Sequence, residues 1–184
     1  MTALTAVVTL RAWNECLDKH RDNEYFRPMA SSLRREIRQR KQFVAFEEEV
    51  FLNVLRTGDA LLQRETEVLR EADLTFAQFN VLRILRGAGP DGLPCGEIAT
   101  RMVTRDPDVT RLLDRLDRRG LVRRSRAEND RRVVVAVITD AGLAVLKPLD
   151  AIIPRVHRDQ LRHLTRAQLE TLAELLVLAR NPPD

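Results

Sequence analysis

The chain has 184 residues, enough for one domain with a packed core and an additional arm. Its 31 basic and 27 acidic residues leave a net charge of +4 and a pI of about 9.7, and 28 of the basic residues are arginine. No apolar run is long enough to span a membrane, and Cys16 and Cys95 form neither a disulfide framework nor a zinc pattern.

The opening MTALTAVVTLRAW lacks the basic start and small-residue cleavage site of a secretory signal, so a cytoplasmic protein is expected. Residues 1–42 read as an N-terminal extension without sustained periodicity, and they hold Trp13 and Tyr25, each the only one of its kind. Met29 stands just ahead of SSLRREIRQRK, so a loosely docked arm and an upstream start fit equally. From Phe43 to Arg70, apolar residues at Phe43, Phe46, Val50, Val54, Leu55, Leu61, Leu62, Val68 and Leu69 predict one long amphipathic helix. Gly58 in its middle suggests a bend or the close approach of another helix.

Thr75-Phe76-Ala77-Gln78 has the form of a capping box. It predicts a helix through Phe79, Val81, Leu82 and Leu85 that stops in GAGPDGLP. A short helix, CGEIATRM, follows. Asp106-Pro107 then offers an N-cap and a first-turn proline for a helix with Val109, Leu112, Leu113 and Leu116 on its apolar face, ended by Gly120. Leu121–Arg126 and Val133–Ile138 predict two strands around the turn Ala127-Glu128-Asn129-Asp130; five of the six residues in VVVAVI are β-branched. After Gly142 helix resumes, first over Leu143 to Leu149 and again past Pro154. A second capping box, Thr165-Arg166-Ala167-Gln168, opens a terminal helix with Leu169, Leu172, Leu176 and Ala179 on one face, and Pro182-Pro183 stops it.

Two helices joined by three residues and followed by a hairpin predict a winged helix-turn-helix within a mostly α (α+β) domain. Between Arg101 and Arg132 the chain carries 11 arginines against 6 acids, so the segment holds more positive charge than the whole chain nets. Arginine at the tip of a hairpin is not needed to form it, whereas a polyanionic duplex rewards it through counterion release. In the helix TRLLDRLDRR alone, pairs such as Arg111–Asp114 and Asp114–Arg118 are equally consistent with a solvated face.

The stretch from GEIATRM through VTR and DPDVTRLLDRLDRRGLVRRSRAENDRRVVVAVITDAG resembles the winged helix-turn-helix of the MarR (multiple antibiotic resistance regulator) family of transcription factors. The likeness rests on Asp130-Arg131-Arg132 and Ile138-Thr139-Asp140-Ala141-Gly142, and extends to LTFAQFNVLRIL and LTRAQLETLAELL, about residues 43–181. It implies a domain over 43–184 with a winged core at about 74–142, and dimerisation helices at about 43–71 and 143–181. The homodimer interface would use Val50, Val54, Leu169, Leu172 and Leu176. The partner would be double-stranded DNA: Arg132 in the minor groove, Asp130 orienting the wing, Arg111 on a base, Arg105 and Thr110 on phosphates. Arg115, Arg124, Arg126 and Arg131 complete the DNA-facing set. Asp108 departs from the family pattern; it either accepts from a cytosine or stabilises the helix. A small aromatic or phenolic effector is implied, with no cofactor, metal, catalysis or membrane partner.

No GxxxxGK[ST] or GxGxxG occurs, and His20, His157 and His163 have no metal spacing and read as surface residues. Two other readings compete. Asp106, Asp108, Asp114 and Asp117 suit a winged-helix protein-interaction module without DNA binding. Cys95, at the start of a helix, suits either a packed thiol or a redox switch.

Overall fold

A computed structural model describes residues 31–104, 108–126 and 132–181. The readings placed on Cys16, Trp13, His20, Tyr25, Arg105, Asp106-Pro107, the Ala127–Asp130 turn, Arg131 and Pro182-Pro183 lie outside these residues. The chain divides into two compact units, Met1–Thr57 and Gly58–Asp184.

In the first unit a short helix α1 (Ser31–Glu36) ends in a turn with Arg38 at φ 53, closed by a Gln39 N–H to Arg34 carbonyl bond of 2.9 Å. Glu36 pairs with Arg56 at 3.2 Å. Helix α2 (Phe46–Glu71) starts three residues later than its periodicity predicts. The Val44 N–H donates to the Glu48 carboxylate from outside the helix, and Glu47, Glu48 and Glu49 place negative charge in the first turn. Helical hydrogen bonding continues through Gly58, and among the described residues a Cβ there would meet nothing within 4 Å, so no other helix packs closely against it.

The second unit holds the core: Leu69, Leu82, Leu85, Ile98, Leu113, Leu116 and Leu146 are fully buried. Helix α3 (Phe76–Ala88) begins with the reciprocal Thr75–Gln78 capping bonds, at 2.9 and 3.2 Å, and runs one turn beyond Leu85. After a 3₁₀ turn at Gly89–Asp91 comes a strand that periodicity did not predict, β1 (Leu93–Pro94). Two residues carry no alternation to read. Helices α4 (Cys95–Arg101) and α5 (Val109–Arg118) follow, then β2 (Val122–Arg126) and β3 (Val134–Ile138). The sheet is antiparallel in the order β1-β3-β2, with Leu93 opposite Ala136 and Val122 opposite Ile138. Gly92, at φ 66, allows β1 to reach β3, because a Cβ there would lie 2.3 Å from the Ala136 carbonyl.

The helix expected over Leu143 to Leu149 and past Pro154 is continuous, α6 (Asp140–Leu161), and contains both Pro148 and Pro154. It starts earlier because the Thr139 hydroxyl accepts from the Gly142 N–H at 3.1 Å. Both prolines lie on the exposed side of the helix, where carbonyls left without an N–H partner are open to solvent, while Leu146, Leu149 and Ile153 anchor the buried side. Helix α7 (Arg166–Arg180) opens with the Thr165–Gln168 capping box and buries none of its residues.

Candidate nucleic-acid interface

The helix-turn-helix geometry is set by a polar group inside the apolar run of α3. Asn80 is buried, and its side-chain oxygen accepts from the Val103 N–H at 2.9 Å, pinning the chain just after α4. An asparagine interrupting Phe79, Val81 and Leu82 was the available signal, since a buried amide must find a partner.

Helix α5 buries Val109, Leu112, Leu113 and Leu116, which turns Thr110, Arg111, Arg115 and Arg118 outward. The N-cap is Asp108 rather than Asp106. Asp108 leaves the helical region at φ −135, and its carboxylate accepts from the Arg111 N–H at 3.0 Å. The same carboxylate pairs with the Arg111 guanidinium at 2.9 Å, although that side chain remains 79% exposed. Asp108 therefore serves the helix here. The C-terminal end is closed by Gly120 at φ 69, with Gly120 N–H to Asp117 and Leu121 N–H to Leu116 bonds of 2.8 and 3.0 Å.

The charge pairs on α5 differ from those that i,i+4 spacing suggests. Arg111 pairs with Asp108, and Arg118 donates to the Asp114 carbonyl at 3.3 Å. The Asp114 carboxylate instead holds Arg124 of β2, whose side chain is only 19% exposed. Arg124 thus turns toward α5. Arg123 and Arg126 are exposed on β2, and Arg132 is exposed at the entry to β3.

The wing and α5 share one anchor. Thr139 donates from its hydroxyl to the Gly120 carbonyl at 2.6 Å and from its N–H to the Leu121 carbonyl at 3.1 Å. Gly142 completes the motif, since a Cβ there would sit 2.3 Å from the Leu121 carbonyl. The Thr-x-x-Gly ending is a joint that brings the start of α6 against the end of α5.

Among the expected interface residues, Val50 and Val54 are exposed in the first unit. In the second, Leu172 is exposed along with Leu175, Val177 and Leu178, while Leu169 and Leu176 are half-buried. His157 lies at the surface, with its Nε2 3.0 Å from the carboxylate of buried Glu65. Gln160 adds a bond to the Leu61 carbonyl at 3.1 Å, so α6 is tied to the second half of α2. Cys95 is half-buried, packs against the core and lies 3.6 Å from the Val134 carbonyl. Among the described residues no group of three or more His, Cys, Asp or Glu could hold a metal, and no helix is long and apolar enough to cross a membrane.

Comparison with known proteins points one way. The MarR family model matches residues 74–134, which span α3 to the start of β3. The Bacillus subtilis HTH-type transcriptional regulator YfiV is 36% identical over 77 residues, 42% of this chain and 47% of that protein; the chain spans about half of that relative's length. The Escherichia coli multiple antibiotic resistance protein MarR is 32% identical over 111 residues, 60% of this chain and 76% of that protein. A cysteine-to-serine mutant of E. coli MarR, solved with operator DNA, matches with a TM-score of 0.61 at 29% identity, over 72% of this chain and 91% of the other. A MarR transcription factor from Planctomyces limnophilus is 41% identical, over 74% of this chain and 99% of its own, with a TM-score of 0.58.

Proposed function

Since this chain belongs to the MarR family of winged helix-turn-helix transcriptional regulators, we propose that it represses transcription by binding a palindromic operator as a homodimer. The observation that carries this reading is the outward face of α5, where Thr110, Arg111 and Arg115 stand on a helix capped at both ends. Such a helix fits the major groove, whose base edges arginine reads through a bidentate fork on guanine. Arg111 is the base reader in this proposal. It must leave Asp108 to act, which its exposure allows.

Arg132 enters the minor groove from the wing, oriented by Asp130, while Thr110, Arg105, Arg115, Arg126 and Arg131 meet phosphates. The dimer follows from apolar surface that is exposed among the described residues. No residue of α7 is fully buried, and the first half of α2 exposes Phe46, Val50, Phe51, Val54 and Leu55. A two-fold pairing covers such faces and sets two recognition helices on successive half-sites, about one DNA turn apart. The effector is a small aromatic or phenolic compound that binds one spacing of those helices better than the other. We place the protein in the cytoplasm and assign it no catalytic step.

Titration of labelled genomic fragments over a salt series tests the reading. The expected result is a tight subset of fragments and a log affinity that falls steeply with log salt. Binding that ignores salt, or no binding at all, would return the domain to a protein-interaction role.

A further inference from the structure

We propose that Arg119 and Arg124 are positioning residues for DNA reading, forming two clamps, on Asp73 and on Asp114, that fix the pose of α5 without touching phosphate. The proposal rests on the DNA-binding reading above. An apolar face holds a helix to a core but lets it roll or slide, because burial is non-directional. Directional bonds must set the angle at which Arg111 is presented, and a donor a fraction of an ångström out of line loses its hydrogen bond.

The first clamp is at the C-terminal end of α5. Arg119 Nη1 donates to the Asp73 carbonyl at 2.6 Å, and Nη2 pairs with the Asp73 carboxylate at 3.2 Å. Asp73 is itself held at φ 52 between α2 and α3, by Asp73 N–H to Arg70 and Leu74 N–H to Leu69 bonds of 3.0 and 2.9 Å. The Asp73 carboxylate is 92% exposed, so its Coulomb share is small and the carbonyl bond dominates. The last residue of the recognition-helix cap is thereby joined to the end of α2.

The second clamp is midway along α5, where Asp114 takes the Arg124 guanidinium from β2. The Arg124 Nε is buried without an acceptor in the structure, so the pair with Asp114 is what stabilises this guanidinium. It ties the helix to the wing. Two arginines of the basic segment thus bond to other elements of the chain, Arg124 half-buried and Arg119 at the surface.

Arg119→Gln, Arg124→Gln and, as a phosphate-binding reference, Arg126→Gln should be compared on a genomic fragment selected by the parent protein and on a random-sequence duplex. Both clamp variants should bind the selected fragment roughly tenfold more weakly, yet keep the parent's affinity for the random duplex and its salt slope. Arg126→Gln should weaken both duplexes alike and reduce the slope by about 0.9 for each phosphate it no longer neutralises. In the DNA-free protein, α5 amides should exchange faster in the clamp variants and not in Arg126→Gln. A fall in salt slope for Arg119→Gln or Arg124→Gln matching that of Arg126→Gln overturns the proposal. Unchanged α5 exchange in both clamp variants overturns it as well. A parent protein that binds neither duplex overturns the DNA reading itself, and hydrogen exchange still decides whether the clamps exist.

Discussion

Glycine means opposite things at two positions of this chain. At Gly142 a Cβ would lie 2.3 Å from the Leu121 carbonyl and 2.7 Å from Ile138 Cγ1, so the joint between α6 and the wing has no room for a side chain. Gly142→Ala should cost about 1–3 kcal/mol, read as a lower urea midpoint at unchanged slope. Gly58 lies inside α2 with open space around its Cβ position, and Gly58→Ala should stabilise by about 0.5–1 kcal/mol. A destabilised Gly58→Ala protein would show instead that a second subunit packs there. Arg132 belongs to the same scale. Arg132→Ala should weaken operator binding by about 1–3 kcal/mol while leaving urea unfolding and sedimentation unchanged. Equal operator affinity in a competition titration would remove the wing from the interface.

Among the elements, α5 depends most on its cap. Asp108 is the one side chain bonded to the helix's first-turn N–H groups among the described residues, at Arg111. Asp108→Ala should therefore cost about 1 kcal/mol in urea unfolding, whereas Asp108→Asn, another good cap, should cost a few tenths. Equal losses for the two would mean that the ion pair with Arg111, rather than the cap, is what matters. Element starts were legible wherever a side chain signals one, as Thr75–Gln78 and Thr165–Gln168 do. They were misplaced where two signals compete: Asp106 and Asp108 are both good caps, and only the fold selects between them. The same holds for α6, where prolines that usually end a helix are carried on its solvent side.

At the scale of the whole molecule, the proposed dimer rests on apolar surface exposed among the described residues. Helix α7 exposes Leu172, Leu175, Val177 and Leu178, and among the described residues none of its side chains is fully buried. Leu172→Glu places a charge on that face and should shift the protein from dimer to monomer or aggregate in sedimentation at micromolar concentration. Operator affinity should then fall further than non-specific affinity, since only a dimer engages both half-sites. A wild-type monomer that still binds a full palindrome tightly would refute the two-fold architecture.

Periodicity, capping boxes and the arginine-rich segment determined the helix order, the winged motif and its charge, because these depend on residues close in the chain. Apolar spacing also picked out the buried face of α5, Val109, Leu112, Leu113 and Leu116. What the tertiary structure alone decided is where each charge goes. Arg124 and Arg126 are both strand arginines by sequence, yet one is turned onto Asp114, ten residues away, and the other is exposed. Arg119 reaches Asp73 across 46 residues, and His157 reaches Glu65 across 92. The two-residue strand β1 exists only because Gly92 lets it approach β3. Local pattern carries which face is apolar; the partner of a polar side chain is set by what folding brings beside it.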